Sequence, residues 1–296
     1  MTNERDDSKK TRRYRPVSIL EGIEEIRQDF EERIAQGDIT YGLEILDDAV
    51  ETVRKGSITF IIAAPNTGKS LLGLRIAVHF AKQNKRVLIC SCEMGAGLLM
   101  EREIKRLAGI SMYNLKELYT THRDTANRIM DSFIEDPKYS YMHNIDICET
   151  GGATVEDIIG MLEADKSYDA VVIDYIQRIK GPGKEYEVIS NAARELQTYA
   201  RQNGLYMICC SQANRQSNDE AKYSKEIDGA RIRGKGSGSI EEDADVGITL
   251  MELNENGQRY ILVTLFKNRY GNIKNISYKY VLDDRLNLIL VDKDVQ

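Results

Sequence analysis

From Gly56 onward, apolar runs that are typical of strands alternate with amphipathic stretches that are typical of helices. The strand-like runs cover residues 56–64, 85–94, 169–176 and 205–212, and the helical stretches cover residues 70–83, 154–165 and 188–204. This alternation predicts an α/β fold with a mainly parallel central sheet flanked by helices. From Asp245 the pattern changes to strands joined by Asn, Gly and Asp turns, which predicts a β-rich C-terminal extension of the same sheet.

Composition limits the classes of protein that this chain can belong to. The 296 residues suffice for one large α/β domain with an appendage, or for two small domains. A net charge of −6 argues against a surface coated for nucleic acid, so such binding must be local. No apolar stretch spans a bilayer and no signal peptide is visible, which favours the cytoplasm without a membrane partner. The five cysteines show no zinc-site spacing and are expected to be buried thiols.

Three segments can be distinguished along the chain. Residues 1–15 are polar and basic and are expected to form a flexible tail. Residues 16–37 predict an amphipathic helix that begins with a capping box at Ser18 and Glu21. Its apolar stripe must pack on something, either on the surface of its own domain or on a neighbouring subunit. Residues 38–296 are expected to form the main domain. The stripe consists of Ile19, Ile23, Ile26, Phe30 and Ile34.

The segment AAPNTGKS, residues 63–70, lies between an apolar strand and an apolar helix, which is the context that a P-loop requires. Its backbone N–H groups would surround phosphates, Lys69 would contact the β- and γ-phosphates of ATP, and the Ser70 hydroxyl would ligate Mg²⁺. The first glycine of the motif is replaced by Ala63, for which the fixed φ of Pro65 can compensate. The predicted nucleotide-binding residues of this segment are Ala64, Pro65, Asn66, Thr67, Gly68, Lys69 and Ser70.

Three further strands end in polar side chains. Asp174 ends the run AVVIDY and is expected to hold Mg²⁺ opposite Ser70. Glu93 follows a strand that is expected to neighbour the loop, and could polarise the attacking water. Gln212 could sense the γ-phosphate through its neutral amide. For each of these residues the alternative is an ordinary polar side chain at a strand end.

Two groups of cations stand out in this acidic chain. Residues 229–239, GARIRGKGSGS, form a basic, glycine-rich segment in which Arg231, Arg233 and Lys235 could contact the phosphates of a nucleic acid. The alternative is a disordered surface loop. Lys267 and Arg269 follow the apolar run of residues 261–266, and here the alternative is a strand that ends in solvent.

Several of these motifs occur together in an order and spacing that resemble the DnaB-like replicative helicases, a branch of the RecA-like ATPases. They are the P-loop, CSCEM, VVIDYIQ, CSQANR, KGSGSIEEDADV and FKNRYG, and GSGSIEEDADV is the most specific of them. The resemblance covers about residues 17–293, and QGDITYGLEILD resembles the end of the family's linker and the start of its motor domain. The N-terminal domain of bacterial members has no counterpart here, which resembles short phage or plasmid versions acting in a bacterial host.

The resemblance implies a homohexameric ring that uses ATP to move 5′→3′ along single-stranded DNA and to unwind duplex. It implies catalytic roles for Lys69, Glu93, Gln212, Lys267 and Arg269, the last two acting on ATP bound to the next subunit. Lys235, Gly236 and Gly238 match a loop that grips DNA in the ring's channel. Primase and a helicase loader are possible partners. Two alternatives remain, a RecA-like recombination or annealing ATPase and a helicase-loading ATPase without unwinding activity.

Overall fold

The computed structural model of the chain describes residues 18–213, 238–273 and 275–293. The chain divides between Asp38 and Ile39 into two compact units. In the first unit, helix α1 spans Glu21–Gln36 and ends at Gly37, whose φ of 83° is readily adopted by glycine. The predicted capping box is wrong, because the Ser18 hydroxyl accepts a hydrogen bond from the Leu20 N–H instead. Leu20 is itself in the helical region of backbone conformation, so the turn at Ser18 precedes the helix rather than capping it.

The second unit carries all of the strands in the described residues. Its strands are β1 (Ile58–Ala63), β2 (Val87–Ser91), β3 (Ile145–Glu149), β4 (Ala170–Asp174), β5 (Tyr206–Gln212), β6 (Val246–Glu255), β7 (Gln258–Asn268), β8 (Ile276–Leu282) and β9 (Leu288–Asp292). Its helices are α2 (Glu44–Ala49), α3 (Lys69–Lys82), α4 (Ala96–Ala108), α5 (Met112–Thr121), α6 (Arg123–Glu135), α7 (Val155–Ala164), α8 (Glu185–Asn203) and α9 (Gly238–Asp243). Short 3₁₀ turns span Pro137–Asn144 and Ile176–Arg178.

The nine strands form a single sheet in the order β3-β2-β4-β5-β1-β6-β7-β8-β9. Neighbouring strands run parallel from β3 to β6, whereas β7, β8 and β9 each run antiparallel to the strand before them. The predicted α/β class, with a mainly parallel sheet and a β-rich C-terminal extension, is therefore confirmed.

Both faces of the sheet are buried, as parallel strands require. On one face α3 packs its apolar side, including Leu72, Ile76 and Phe80, against β1, β2 and β5. On the other face the apolar sides of α7 and α8 form a second core with the alternate side chains of the same strands. This is why the strands read as continuous apolar runs rather than as alternating patterns.

Residues 96–149 were not assigned from the sequence, and they hold three helices, a 3₁₀ turn and the edge strand β3. Helices α4, α5 and α6 form a small cluster of their own around Ile104, Leu115, Ala126 and Phe133. Strand β3 is only partly buried, and this explains why its sequence, IDICE, gave a weak strand signal.

Strand β1 lies inside the sheet between β5 and β6 and is fully buried over its length. Because β6 is parallel to β1 and β7 is antiparallel to β6, the end of β7 lies at the edge of the sheet where β1 begins. The sheet therefore presents two separate functional edges, one at the end of β1 and one at its start.

Candidate functional site

The predicted P-loop connects the end of β1 to the start of α3. Gly68 precedes α3 with a φ of 99°, a conformation that side chains rarely adopt, and Asn66 is also left-handed with a φ of 64°. The loop borders a cleft of about 540 Å³. The cleft is lined by Ala63, Ala64, Pro65, Asn66, Gly68, Lys69, Ser70, Leu71, Glu93, Met94, Arg102, Tyr175, Gln212 and Leu286. Thr67 is buried beneath the loop.

Lys69 and Asp174 approach each other beneath this cleft. The Lys69 Nζ lies 3.6 Å from Asp174 Oδ1 and 3.6 Å from the centroid of the Tyr175 ring. Asp174 is only 7% exposed, and its Oδ1 accepts no hydrogen bond. A buried carboxylate oxygen without a hydrogen-bond donor fits a site that is completed by a hydrated cation. Among the described residues no group of three or more His, Cys, Asp or Glu could hold a metal alone, so the ion would depend on Ser70, Asp174 and the phosphates.

Glu93 reaches the cleft from a strand that is not adjacent to the loop. Strand β2 ends at Ser91, and β4 and β5 lie between it and β1, so the expectation of a neighbouring strand is wrong. Sequence could not give this order, since strand order depends on crossovers rather than on local pattern. Glu93 nevertheless lines the same cleft as Lys69, because it extends beyond the strand end.

The Glu93 carboxylate is held by three donors on one oxygen. Oε1 accepts hydrogen bonds from Arg178 Nε at 3.0 Å, from Arg178 Nη2, and from the Tyr175 hydroxyl at 3.0 Å. Burial raises the pKa of Glu93, but these hydrogen bonds and the charges of Arg178 and Lys69 outweigh it and leave the pKa below its ordinary value. Glu93 is therefore ionised at neutral pH.

Gln212 ends β5 at the rim of the cleft, and its backbone is fixed by Gln177. The Gln212 N–H donates to Gln177 Oε1 at 3.0 Å, while Gln177 Nε2 donates to the Ser211 hydroxyl at 2.8 Å. Gln177 thus locks the end of β5 to the 3₁₀ turn that follows Asp174. The Gln212 side chain is left to face the cleft that it lines.

Lys267 and Arg269 lie at the other edge of the sheet. Gly247 pairs with both Lys267 and Phe60, and the Arg269 N–H donates to the carbonyl of Asp245, whose N–H in turn donates to the Ile58 carbonyl. The six residues of β1 separate this level from the P-loop by about 17 Å at ~3.3 Å per residue. Both cations are held locally, Lys267 Nζ by the Glu242 carbonyl at 2.8 Å and Arg269 Nη1 by Asp245.

Comparison with known proteins gives the family of this chain. Residues 38–284 match the family described as the DnaB-like helicase C-terminal domain. The chain belongs to the DnaB-like helicases. It is 29% identical over 248 residues to a probable plasmid replicative DNA helicase of Chlamydia muridarum, covering 78% of this chain and 50% of that protein. It is 27% identical over 259 residues to the replicative DNA helicase DnaB of Geobacillus stearothermophilus, covering 82% of this chain and 54% of that protein.

The fold agrees with solved members of the same family. The solved ATPase domain of a phage DnaB-like helicase superposes with a TM-score of 0.76 at 22% identity, covering 94% of this chain and all of that one. A DnaB-like replicative helicase, solved with a view to its interactions with primase, gives a TM-score of 0.72 at 22% identity and covers 94% of this chain and 68% of that one. The fold is thus the RecA-like ATPase fold of DnaB-like helicases. The chain spans about half the length of the curated relatives that it matches.

Part of the site predicted from the family resemblance lies outside the described residues. Arg231, Arg233, Lys235 and Gly236 belong to the stretch 214–237, which the structure does not describe. Gly238 is the first residue of α9. In the described residues no helix is long and apolar enough to cross a membrane.

Sequence reasoning missed several residues that contact the predicted site. Tyr175, Gln177 and Arg178 directly follow Asp174, so their position after a functional strand end was a usable signal. Arg102 and Leu286 also line the cleft, but they come from α4 and from the turn before β9, and nothing local in the sequence indicates this. The predicted buried thiols were assigned correctly for Cys90, Cys209 and Cys210, and burial raises the pKa of each.

The geometry of the loop predicts the effect of adding one methyl group at Gly68. A Cβ there would find space, with Ile261 Cδ1 nearest at 3.7 Å, so the cost is conformational. We expect Gly68→Ala to lower the free energy of unfolding by about 1–2 kcal/mol and to weaken binding of an ATP analogue. The matched control is Gly160→Ala, in the exposed middle of α7, which should raise stability by about 0.5–1 kcal/mol. Urea denaturation and nucleotide titration of both variants test this, and equal effects at the two sites would contradict it.

Proposed function

We propose that this chain forms the motor of a replicative DNA helicase, a homohexameric ring that hydrolyses ATP and moves 5′→3′ along single-stranded DNA. Family membership and the P-loop cleft support this activity. Because the chain spans about half of its curated relatives, the activity of the whole protein is part of the proposal. Family membership also supports primase and a helicase loader as partners, with no residue of this chain assigned to either contact.

The residues around the cleft suggest a division of labour during hydrolysis. The backbone N–H groups of the loop and Lys69 bind the phosphates. Glu93, ionised at neutral pH, polarises the attacking water, and Gln212 hydrogen-bonds the γ-phosphate from the end of β5. Ser70 and Asp174 would hold Mg²⁺, which neutralises charge that develops on the phosphates.

The observation that carries the proposal is the separation of the cations from the cleft. Lys267 and Arg269 lie at the start of β1, about 17 Å from the loop at its end, so they cannot reach ATP bound to their own subunit. A head-to-tail ring would bring this edge to the cleft of the next subunit. An arginine supplied in this way can be worth about 10³–10⁵ in rate. Hydrolysis would then depend on the position of the neighbour, which links the chemistry to movement of the ring.

Helix α1 supplies a second feature that suits a ring. Its stripe is exposed, with Ile26 at 55% and Phe30 at 52%. Burying an Ile or Phe side chain contributes about 1.5–3 kcal/mol, so an exposed stripe of this length favours docking on another surface. We propose the adjacent subunit as that surface.

Mixing two inactive variants tests whether Arg269 acts on the neighbour. We expect Glu93→Gln and Arg269→Ala each to bind ATP and assemble but to hydrolyse it poorly. In mixed rings some interfaces combine an intact Glu93 with an intact Arg269 from the adjacent subunit, so ATPase activity should rise above the sum of the two components. The measurement is ATP turnover across mixing ratios after dissociation and co-assembly.

The control mixes Glu93→Gln with the double variant Glu93→Gln/Arg269→Ala, in which no active site has an intact Glu93. This mixture should stay at background at every ratio. If the first mixture also stays at background while mass measurement finds mixed rings, Arg269 does not act in trans. Unwinding of a forked duplex by the wild type separates a helicase from an annealing or loading ATPase, neither of which would open the fork.

Replacing apolar residues of α1 tests the proposed docking. The double variant Ile26→Asp/Phe30→Asp should shift the hexamer toward monomers at low protein concentration, because charged side chains cannot be buried there without a partner. Glu24→Gln/Glu31→Gln on the same exposed helix serves as the control and should leave assembly unchanged. Light scattering across a dilution series gives the result, and identical curves for all three proteins would assign the stripe to another role.

Salt dependence tests the proposed DNA contacts of residues 229–239. Each of Arg231→Ala, Arg233→Ala and Lys235→Ala should weaken binding to single-stranded DNA. Each lost phosphate contact should reduce the slope of log K against log salt by ~0.7. Fluorescence anisotropy with a labelled oligonucleotide at several salt concentrations measures this slope, and a wild-type slope in the triple variant would move the DNA site elsewhere.

A further inference from the structure

A single buried carboxylate holds two arginines at the edge of the sheet that carries Arg269. Asp245 is 0% exposed, and its Oδ1 accepts from Arg269 Nη1 at 2.5 Å and from Arg201 Nη2 at 3.1 Å. Both guanidinium groups extend toward solvent, since the side chain of Arg269 is 43% exposed and that of Arg201 is 50% exposed. The carboxylate is thus fixed in the protein while its two partners stand at the surface.

The backbone around Asp245 leaves the carboxylate little freedom to move. Its Oδ2 accepts from the Ile58 N–H at 3.0 Å, and its own N–H donates to the Ile58 carbonyl at 3.0 Å. The preceding residue but one, Asp243, is held through its carbonyl by Gln197, which lies one turn before Arg201 on α8. When an arginine leaves, Asp245 cannot follow it.

Arg201 is fixed more firmly than Arg269. It lies in the last turn of α8, where a positive side chain is favoured by the helix dipole. Its backbone packs so closely on Gly56 that a Cβ at Gly56 would come within 2.9 Å of the Arg201 Cα. Arg269, in contrast, is the first residue beyond β7, and its chain continues into a turn at Tyr270 and Gly271.

The two arginines have unequal consequences for a buried charge. A buried carboxylate that loses its only partner is strongly destabilised, whereas one that keeps a guanidinium is not. Because Arg201 shares Oδ1 with Arg269, Asp245 remains paired when Arg269 moves away. Removal of Arg201 would leave Arg269 as the sole partner and hold it on Asp245.

We propose that Arg201 is a positioning residue that takes over Asp245 and so releases Arg269 to reach the phosphates of the neighbouring subunit. This inference rests on the proposed role of Arg269 in trans. It assigns Arg201 no contact with nucleotide. The arrangement makes the exchange between a resting and an engaged Arg269 possible without leaving a buried carboxylate unpaired.

The test compares ATP turnover of the hexamer for Arg201→Gln, Arg201→Lys and the double variant Arg201→Gln/Asp245→Asn. Arg201→Gln should lower kcat roughly tenfold or more, because Arg269 then cannot leave without exposing an unpaired buried charge. ATP affinity should stay within twofold, since Arg201 is far from the cleft of its own subunit. Arg201→Lys should retain most of the activity. In the double variant no charge remains to be left unpaired, so kcat should recover several-fold relative to Arg201→Gln.

Each alternative role of Arg201 gives a different pattern. If Arg201 itself contacted the neighbour's phosphates, Asp245→Asn would not restore the activity lost in Arg201→Gln. If it only stabilised the fold, Arg201→Gln would lower the melting temperature while kcat per folded hexamer stayed at the wild-type value. Either result overturns the proposal. The matched control is Arg86→Gln, a part-exposed arginine that pairs with Asp146 and Asp165 at the start of β2, and its kcat should not change.

Failure of this inference can be distinguished from failure of the proposed function. If Arg269→Ala hydrolyses ATP at the wild-type rate, the role of Arg269 in trans is wrong and the inference falls with it. If Arg269→Ala is inactive and is complemented in mixed rings, but Arg201→Gln has wild-type kcat, then only the role of Arg201 is wrong.

Discussion

The burial of β1 inside the sheet is the constraint on which the rest of the structure depends. Strand β1 has β5 on one side and β6 on the other, and its six residues are buried on both faces. A strand held in this way cannot shift its register without moving apolar side chains out of two cores. Its end fixes the P-loop and its start fixes Asp245 through Ile58. The distance between the two functional edges is therefore set by the length of one strand.

Carboxylates organise the cations at both edges. At the end of β1, Asp174 lies beside Lys69, and Glu93 is hydrogen-bonded by Arg178 and Tyr175. At the start of β1, Asp245 binds Arg201 and Arg269. In a chain with a net charge of −6, the cations that matter are thus held by specific acidic partners rather than spread over the surface. Such pairs are weak sources of stability but fix side chains in position before a ligand arrives.

Much of the fold and part of the site could be predicted because they are local in sequence. The strand and helix of the P-loop, the strands ending at Asp174 and Gln212, and helices α7 and α8 all follow from apolar periodicity within short windows. Prediction failed where the signal was not local or was weak. The capping box at Ser18 was wrong because the backbone at Leu20 is already helical. The edge strand β3 and helices α4–α6 have short or partly exposed apolar faces and gave no clear pattern.

The sequence by itself determined the elements, the P-loop and the identity of the polar residues at the strand ends, because each depends on neighbours within a few positions of the chain. Only the tertiary structure decided which strands lie side by side, since crossovers set that order. It separated β2 from β1 by two strands, brought Arg178 to Glu93, and put Arg201 and Arg269 on one oxygen of Asp245. These contacts join residues 24 to 85 positions apart, and packing alone brings them together.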